Sequence, residues 1–114
     1  MVWNSVSFES ILATIAAVLF AVAGVVNLVG PGAVKRDFAR WGYPAWFRLL
    51  CGAFELLSAA LLLGQQTRVL GLTLAGAIMI GALFTLVRNR EPFGHLAPAL
   101  LFSALIVATV AVRG

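Results

Sequence analysis

Residues 11–29 read ILATIAAVLFAVAGVVNLV, a run of 19 residues without a charged side chain. About 20 apolar residues in an α-helix span the hydrocarbon core of a bilayer, so this run predicts a first transmembrane helix. Gly30-Pro31-Gly32 follows the run and should end the helix, because proline lacks an amide donor and glycine tolerates unusual dihedral angles. The residues before the run hold Glu9 and no Lys or Arg, unlike a signal peptide, so we expect this helix to be retained.

Three further apolar runs follow, at residues 47–63, 69–87 and 96–112, and the first of them carries Arg48 and Glu55. Of the 114 residues, 62% are hydrophobic and 11% are charged, whereas a soluble domain averages about 25% charged residues. This composition excludes a soluble globular domain, a disordered chain and a disulfide scaffold. We predict an all-α polytopic membrane protein, in which residues 1–114 form a single antiparallel bundle of four transmembrane helices.

The first loop carries aromatic residues at a helical spacing. Val34, Phe38 and Trp41 fall at positions i, i+4 and i+7, which places them on one helical face. The spacing predicts a short helix in the lipid headgroup region. An aromatic belt around an ordinary loop is the alternative.

Small residues recur every fourth position within the spans. Ala77, Gly81 and Thr85 have this spacing in the third span, and Ala104 and Ala108 have it in the fourth. Small residues on one face let two helix backbones approach closely. We therefore expect these faces to pack against neighbouring helices.

Basic residues are unevenly distributed between the two sides of the predicted bundle. The first and third loops and the adjacent helix start hold six of them, namely Lys35, Arg36, Arg40, Arg48, Arg88 and Arg90. The other side holds two, Arg68 and Arg113. Because basic loops stay in the cytoplasm, we expect a cell-membrane protein with both termini outside and loops 31–46 and 88–94 cytoplasmic. The net charge of +4 then reflects topology and contact with anionic membrane lipids, and not nucleic-acid binding.

The second span carries four polar side chains on one side. Arg48, Cys51, Glu55 and Ser58 share an arc of about 80° when each residue advances the helix by about 100°. A Glu that faced lipid at this depth would cost several kcal/mol. We therefore expect this arc to face the first and third spans.

Polar residues from all four spans fall in the same half of the predicted bundle. They are Asn27, Arg48, Glu55, Thr85, Arg88 and His95. Because ionisable groups inside a membrane are often functional, these residues predict a ligand site around Glu55. In the alternative, Glu55 accepts hydrogen bonds from Arg48 or from a neighbouring helix and fixes the register of the bundle.

The residue types at this predicted site limit the classes of ligand that can bind there. One His and one Cys do not make a metal site, and no nucleophile–base–acid trio or phosphate-binding loop is present in the sequence. No cofactor is evident, a quinone remains a possible ligand, and whether the chain is an enzyme stays open.

Several motifs resemble those of the DoxX-like family of small four-helix membrane proteins. They run from Lys35 through Trp41-Gly42-Tyr43-Pro44 to the block Gly52-Ala53-Phe54-Glu55-Leu56, followed by Gly81-Ala82, Thr85 and Pro98. The family is named after a subunit of a thiosulfate:quinone oxidoreductase, and other relatives look like partners of redox enzymes or chaperones of membrane proteins. The resemblance implies an accessory or redox-associated membrane subunit.

Three classes of function fit these features. The first is an accessory subunit that binds a lipid, a quinone or a partner protein through the polar face around Glu55. The second is a proton-coupled exporter similar to small multidrug-resistance proteins, although that family carries its Glu in the first helix and has a weaker Lys/Arg bias. The third is a catalyst without metal that uses Glu55 and Arg48 on an isoprenoid or quinone headgroup.

Overall fold

The computed structural model describes the backbone of residues 2–113 and the side chains of residues 8–113. This part of the chain forms five helices: α1 (Val2–Val29), α2 (Gly32–Arg40), α3 (Ala45–Leu63), α4 (Arg68–Arg88) and α5 (Phe93–Arg113). Four of them, α1, α3, α4 and α5, are long and apolar enough to cross a membrane. The predicted all-α fold with four spans and a short helix in the first loop is confirmed.

The four long helices form a closed ring. Helix α1 packs against α3 and α5, and α4 packs against the same two helices, with α1 and α3 in the most extensive contact. Short connections make successive spans antiparallel. The end of the bundle that carries α2, the starts of α3 and α5 and the end of α4 is called the α2 end below.

Two helix boundaries differ from the sequence prediction. Helix α1 begins at Val2 and not near residue 11, so it includes Glu9. Helix α5 begins at Phe93, because the carbonyl oxygen of Pro92 accepts the His95 amide at 2.9 Å and closes the first turn. Gly94 therefore lies inside α5, although the expected loop 88–94 placed it outside the helix.

The apolar core occupies the half of the bundle opposite the α2 end. Phe20 and Leu62 are fully buried there, and Ala17, Ala75 and Ile106 surround them. Small residues between the large ones let the four helices approach closely, so this half is filled.

A charged cluster closes the same half of the bundle. Glu9 Oε2 lies 2.6 Å from Arg113 Nη1 and 3.2 Å from Arg68 Nη1. Arg68 is buried and also donates from Nε to the carbonyl of Leu62 at 2.9 Å. Burying a guanidinium requires such pairing, and the cluster ties α1, α4 and α5 together.

Candidate functional site

A cavity of about 470 Å³ lies between α3 and α4 in the half of the bundle near the α2 end. Its walls are mainly aromatic and aliphatic, and Phe38 and Trp41 of the α2 region form part of them. The polar groups that line it are Asn27, Tyr43, Cys51, Glu55 and Thr85. The arrangement combines an apolar chamber with a few placed hydrogen-bonding groups, as small-molecule sites do.

Glu55 is the charged residue that lines this cavity, and 6% of its surface is exposed. Asn27 donates a hydrogen bond from Nδ2 to Glu55 Oε1. Helical side chains lean toward the start of their own helix, so in the antiparallel α1 and α3 these two lean toward each other. Every buried side-chain polar atom of the described residues has a partner. Oε2 makes no hydrogen bond among those residues, so it is not enclosed and faces the cavity.

A close helix crossing brings Asn27 and Glu55 together. A Cβ atom added to Gly52 would lie 2.9 Å from the carbonyl oxygen of Gly24, and one added to Gly24 would lie 2.9 Å from that of Gly52. Both glycines precede a polar residue by three positions, one helical turn. The spacing Gly-x-x-Glu in α3 therefore has a physical reason, because the glycine lets α1 approach and the Glu reaches its partner on that helix.

A second polar pair lines the cavity near the α2 end. Tyr43 Oη and Thr85 Oγ1 lie 2.7 Å apart and connect the α2–α3 turn to α4. The Tyr43 ring packs on Phe47, with ring centroids 4.6 Å apart. Sequence reasoning singled out Thr85 as a site residue but missed Tyr43. The signal that could identify Tyr43 is its position directly before Pro44, the residue that caps the start of α3.

Arg48 does not pair with Glu55. Its Nη1 atom donates to the carbonyl of Asn27 and to that of Leu28, the latter at 3.2 Å. These carbonyls have no helical partner at the end of α1, so a cation there satisfies them and offsets the helix dipole. Glu55 therefore accepts its hydrogen bond from the neighbouring helix α1 and not from Arg48. Arg48 lies outside the cavity and bonds the backbone carbonyl of Asn27.

Arg88 and His95 also lie outside the cavity. Arg88 is exposed at the end of α4. His95 Nδ1 lies 3.2 Å from Glu91 Oε2, and the His95 ring lines a second cavity of about 370 Å³ together with Pro98 and Phe102. The structure therefore brings together Asn27, Glu55 and Thr85, and leaves Arg48, Arg88 and His95 apart from them.

Glu91, in the α4–α5 turn, holds the α2 region over the cavity. Its carboxylate accepts hydrogen bonds from Arg40 and from Trp41 Nε1, the latter at 2.7 Å. The bond from Arg40 and then the bond from Trp41 hold the pKa of Glu91 below its usual value, and the same contact raises the pKa of Arg40. No residue of α2 is buried. These polar contacts therefore supply much of its attachment.

The small residues of α4 border an opening. Ala77 and Gly81 are exposed and line the cavity, and a Cβ atom at Gly81 would meet no heavy atom of the described residues within 4 Å. The prediction that this face packs closely on another helix is wrong at Gly81. Instead, the missing side chain of Gly81 and the small one of Ala77 leave the cavity open along α4.

Four helices able to cross a membrane, with a buried carboxyl group that lines a cavity between α3 and α4, define a polytopic membrane protein with a polar group inside the bundle. The model of the DoxX-like family matches residues 11–109 of the chain. The chain therefore belongs to the DoxX-like family, as its motifs predicted. Comparisons with curated proteins and with solved structures gave no match.

Proposed function

We propose that this protein is an accessory, redox-associated subunit of the membrane that binds a quinone in the cavity around Glu55. The feature that most strongly supports this proposal is the Glu55 carboxyl group, which is buried, bonded to Asn27 through Oε1 and free to bond a ligand through Oε2. An ionisable group at this depth in a membrane protein is costly to place, which favours a role in binding or proton transfer.

The cavity suits the size and chemistry of a quinone ring. Its volume of about 470 Å³ falls within the range of about 300–1,000 Å³ usual for small-molecule sites. Trp41 and Phe47 offer aromatic surfaces on which a flat ring can stack.

The two polar pairs suit the two carbonyl oxygens of such a ring. Tyr43 and Thr85 share one hydrogen bond, so one of their two hydroxyl protons remains free to donate. Glu55 donates when it is protonated and accepts when it is ionised, so it can bond either the oxidised or the reduced form. Under this proposal a partner redox enzyme exchanges electrons with the bound quinone, while this chain supplies the site and the proton-carrying group.

We further propose the cell membrane as the location, with both termini outside and the loops at residues 31–46 and 88–94 cytoplasmic. The excess of basic residues at the α2 end supports this orientation. So does the pairing at the other end, where Glu9 contacts both Arg68 and Arg113. The quinone site then lies near the cytoplasmic leaflet, and membrane lipids cover the exposed apolar faces of the bundle.

Glu55→Gln tests the proposed function. The amide keeps a carbonyl acceptor for Asn27 but removes the charge and the exchangeable proton. Hydrogen bonds to charged groups contribute about 1.5–3 kcal/mol, so quinone affinity should fall at least about tenfold. Quinone titration of the protein in lipid nanodiscs, beside thermal unfolding in detergent, measures both affinity and stability.

Ser58→Ala is the matched control. Ser58 is buried one turn further along the same face of α3, donates to the carbonyl of Phe54 and does not line the cavity. Its loss should leave quinone affinity unchanged. A large loss of stability in Glu55→Gln with unchanged affinity would mean that Glu55 only fixes the register of the bundle. Proton-driven export by vesicles that contain this protein alone would favour the transporter alternative.

A further inference from the structure

The cavity has a side opening between α3 and α4. Leu50 and Phe54 of α3 form one edge, and Ala77 and Gly81 of α4 form the other. All four are exposed on the outside of the bundle, on helices that cross the membrane. This opening, called the slot below, therefore faces the lipid chains.

Polar and apolar groups are separated between the depth of the cavity and the slot. Glu55 and Thr85 are buried in its depth, whereas the four residues of the slot carry no polar side-chain atom. A ligand that satisfies both regions has a polar head inside and an apolar part that leaves through the slot.

The other routes into the cavity are covered. At the α2 end, Phe38 and Trp41 lie over it, and Glu91 holds Trp41 and Arg40 in place. Toward the opposite half, the packed core around Phe20 fills the bundle. The slot is thus a route that needs no helix to move.

Building on the proposed function, we propose that the ligand enters sideways from the bilayer through the slot and leaves one apolar chain lying in it. The ligand class is then a lipid with a compact polar head and a single chain, such as a prenyl or alkyl quinone. The quinone of the proposed function carries one such chain, and the small residues Ala77 and Gly81 leave room for it at the edge of the slot. The cavity of about 470 Å³ encloses the head and the first part of that chain.

Gly81→Phe tests this inference, because the new ring would extend into the slot. A Cβ atom at Gly81 meets no heavy atom of the described residues, so the substitution should not disturb folding. Gly76→Phe is the matched control. A Cβ atom at Gly76 also has no heavy atom of the described residues within 4 Å, and Gly76 does not line the cavity. The probes are decylubiquinone and the same dimethoxy-methyl-benzoquinone head without a chain, each titrated against the full chain in lipid nanodiscs.

We expect Gly81→Phe to weaken binding of decylubiquinone at least about tenfold and to leave binding of the chain-free head within about twofold. Gly76→Phe should change neither affinity. On the opposite edge, Phe54→Ala widens the slot and should raise the association rate of decylubiquinone in stopped-flow measurements.

The outcomes separate this inference from the proposed function. Unchanged decylubiquinone binding in Gly81→Phe would overturn entry through the slot and leave the quinone site standing. An equal loss of affinity for both probes would also overturn it, because Gly81 would then lie in the part of the cavity that binds the quinone head. Failure of the unaltered protein to bind either probe would overturn the proposed function itself.

Discussion

At the scale of single residues, Glu91 makes the attachment of α2 depend on pH. Its pKa is held below the usual value of about 4.5, chiefly by the hydrogen bond from Arg40 and then by that from Trp41. A carboxyl group with a lowered pKa in the folded state stabilises that state above its usual pKa, and this contribution is lost as the pH falls through the lowered value. We predict that α2 is held at neutral pH and is released as the pH falls below the usual carboxyl pKa and through the lowered pKa of Glu91.

Hydrogen exchange of the amides of residues 32–40, corrected for the intrinsic effect of pH, measures this release. In Glu91→Gln the charge is absent at every pH, so exchange should already be fast at neutral pH and should show no transition. A transition with the same midpoint in Glu91→Gln would assign the effect to another group.

The sequence predicts some of the residues that line the cavity and misplaces others. Glu55 stands out because a carboxylate in an apolar run must be buried with a partner, and Asn27 is a polar residue at a matching depth. Arg48 was placed in the site by the same logic, yet its partners are backbone carbonyls at the end of α1. Whether Arg48 bonds the Glu55 carboxylate or the free carbonyls at the end of α1 depends on the angle at which α1 and α3 cross. Residue spacing does not specify that angle.

At the scale of helices, small residues have two opposite roles in this bundle. Gly24 and Gly52 let α1 and α3 approach until a Cβ atom on either glycine would lie 2.9 Å from the carbonyl oxygen of the other. Ala77 and Gly81 have the same character on α4, but they border the slot. The helical spacing predicts which small residues share a face, while the angle between helices decides whether that face is packed or open.

The four spans themselves could be predicted from the sequence, because each is an apolar run long enough for a bilayer. Their ends could not be placed as closely. Helix α5 includes Gly94, which the predicted loop 88–94 leaves outside the helix, because the carbonyl of Pro92 accepts the His95 amide and closes the first helical turn.

At the scale of the whole molecule, the two halves of the bundle are different. One half holds the packed core and the cluster of Glu9, Arg68 and Arg113, whereas the other holds the cavity and the α2 region. Lys35, Arg36, Arg88 and Arg90 are exposed in the latter half. Because loops with an excess of Lys and Arg are retained in the cytoplasm, we predict that the α2 end is cytoplasmic.

Reporter fusions measure this orientation. A periplasmic reporter fused to the C-terminus should be active, and the same reporter inserted in the turn at residues 89–92 should be silent. The reverse pattern would contradict the proposed orientation without affecting the site.

Photolabelling with an azidoquinone tests most directly whether the cavity around Glu55 is the quinone site. The protein in lipid nanodiscs is illuminated with the probe, and the labelled peptides are sequenced by mass spectrometry. We predict labels on residues that line the cavity, such as Cys51, Phe54 and Ile78, and their suppression by excess decylubiquinone and by Glu55→Gln. Labels concentrated on Pro98 and Phe102 of the second cavity, or spread over the lipid-facing surface without competition, would contradict the account.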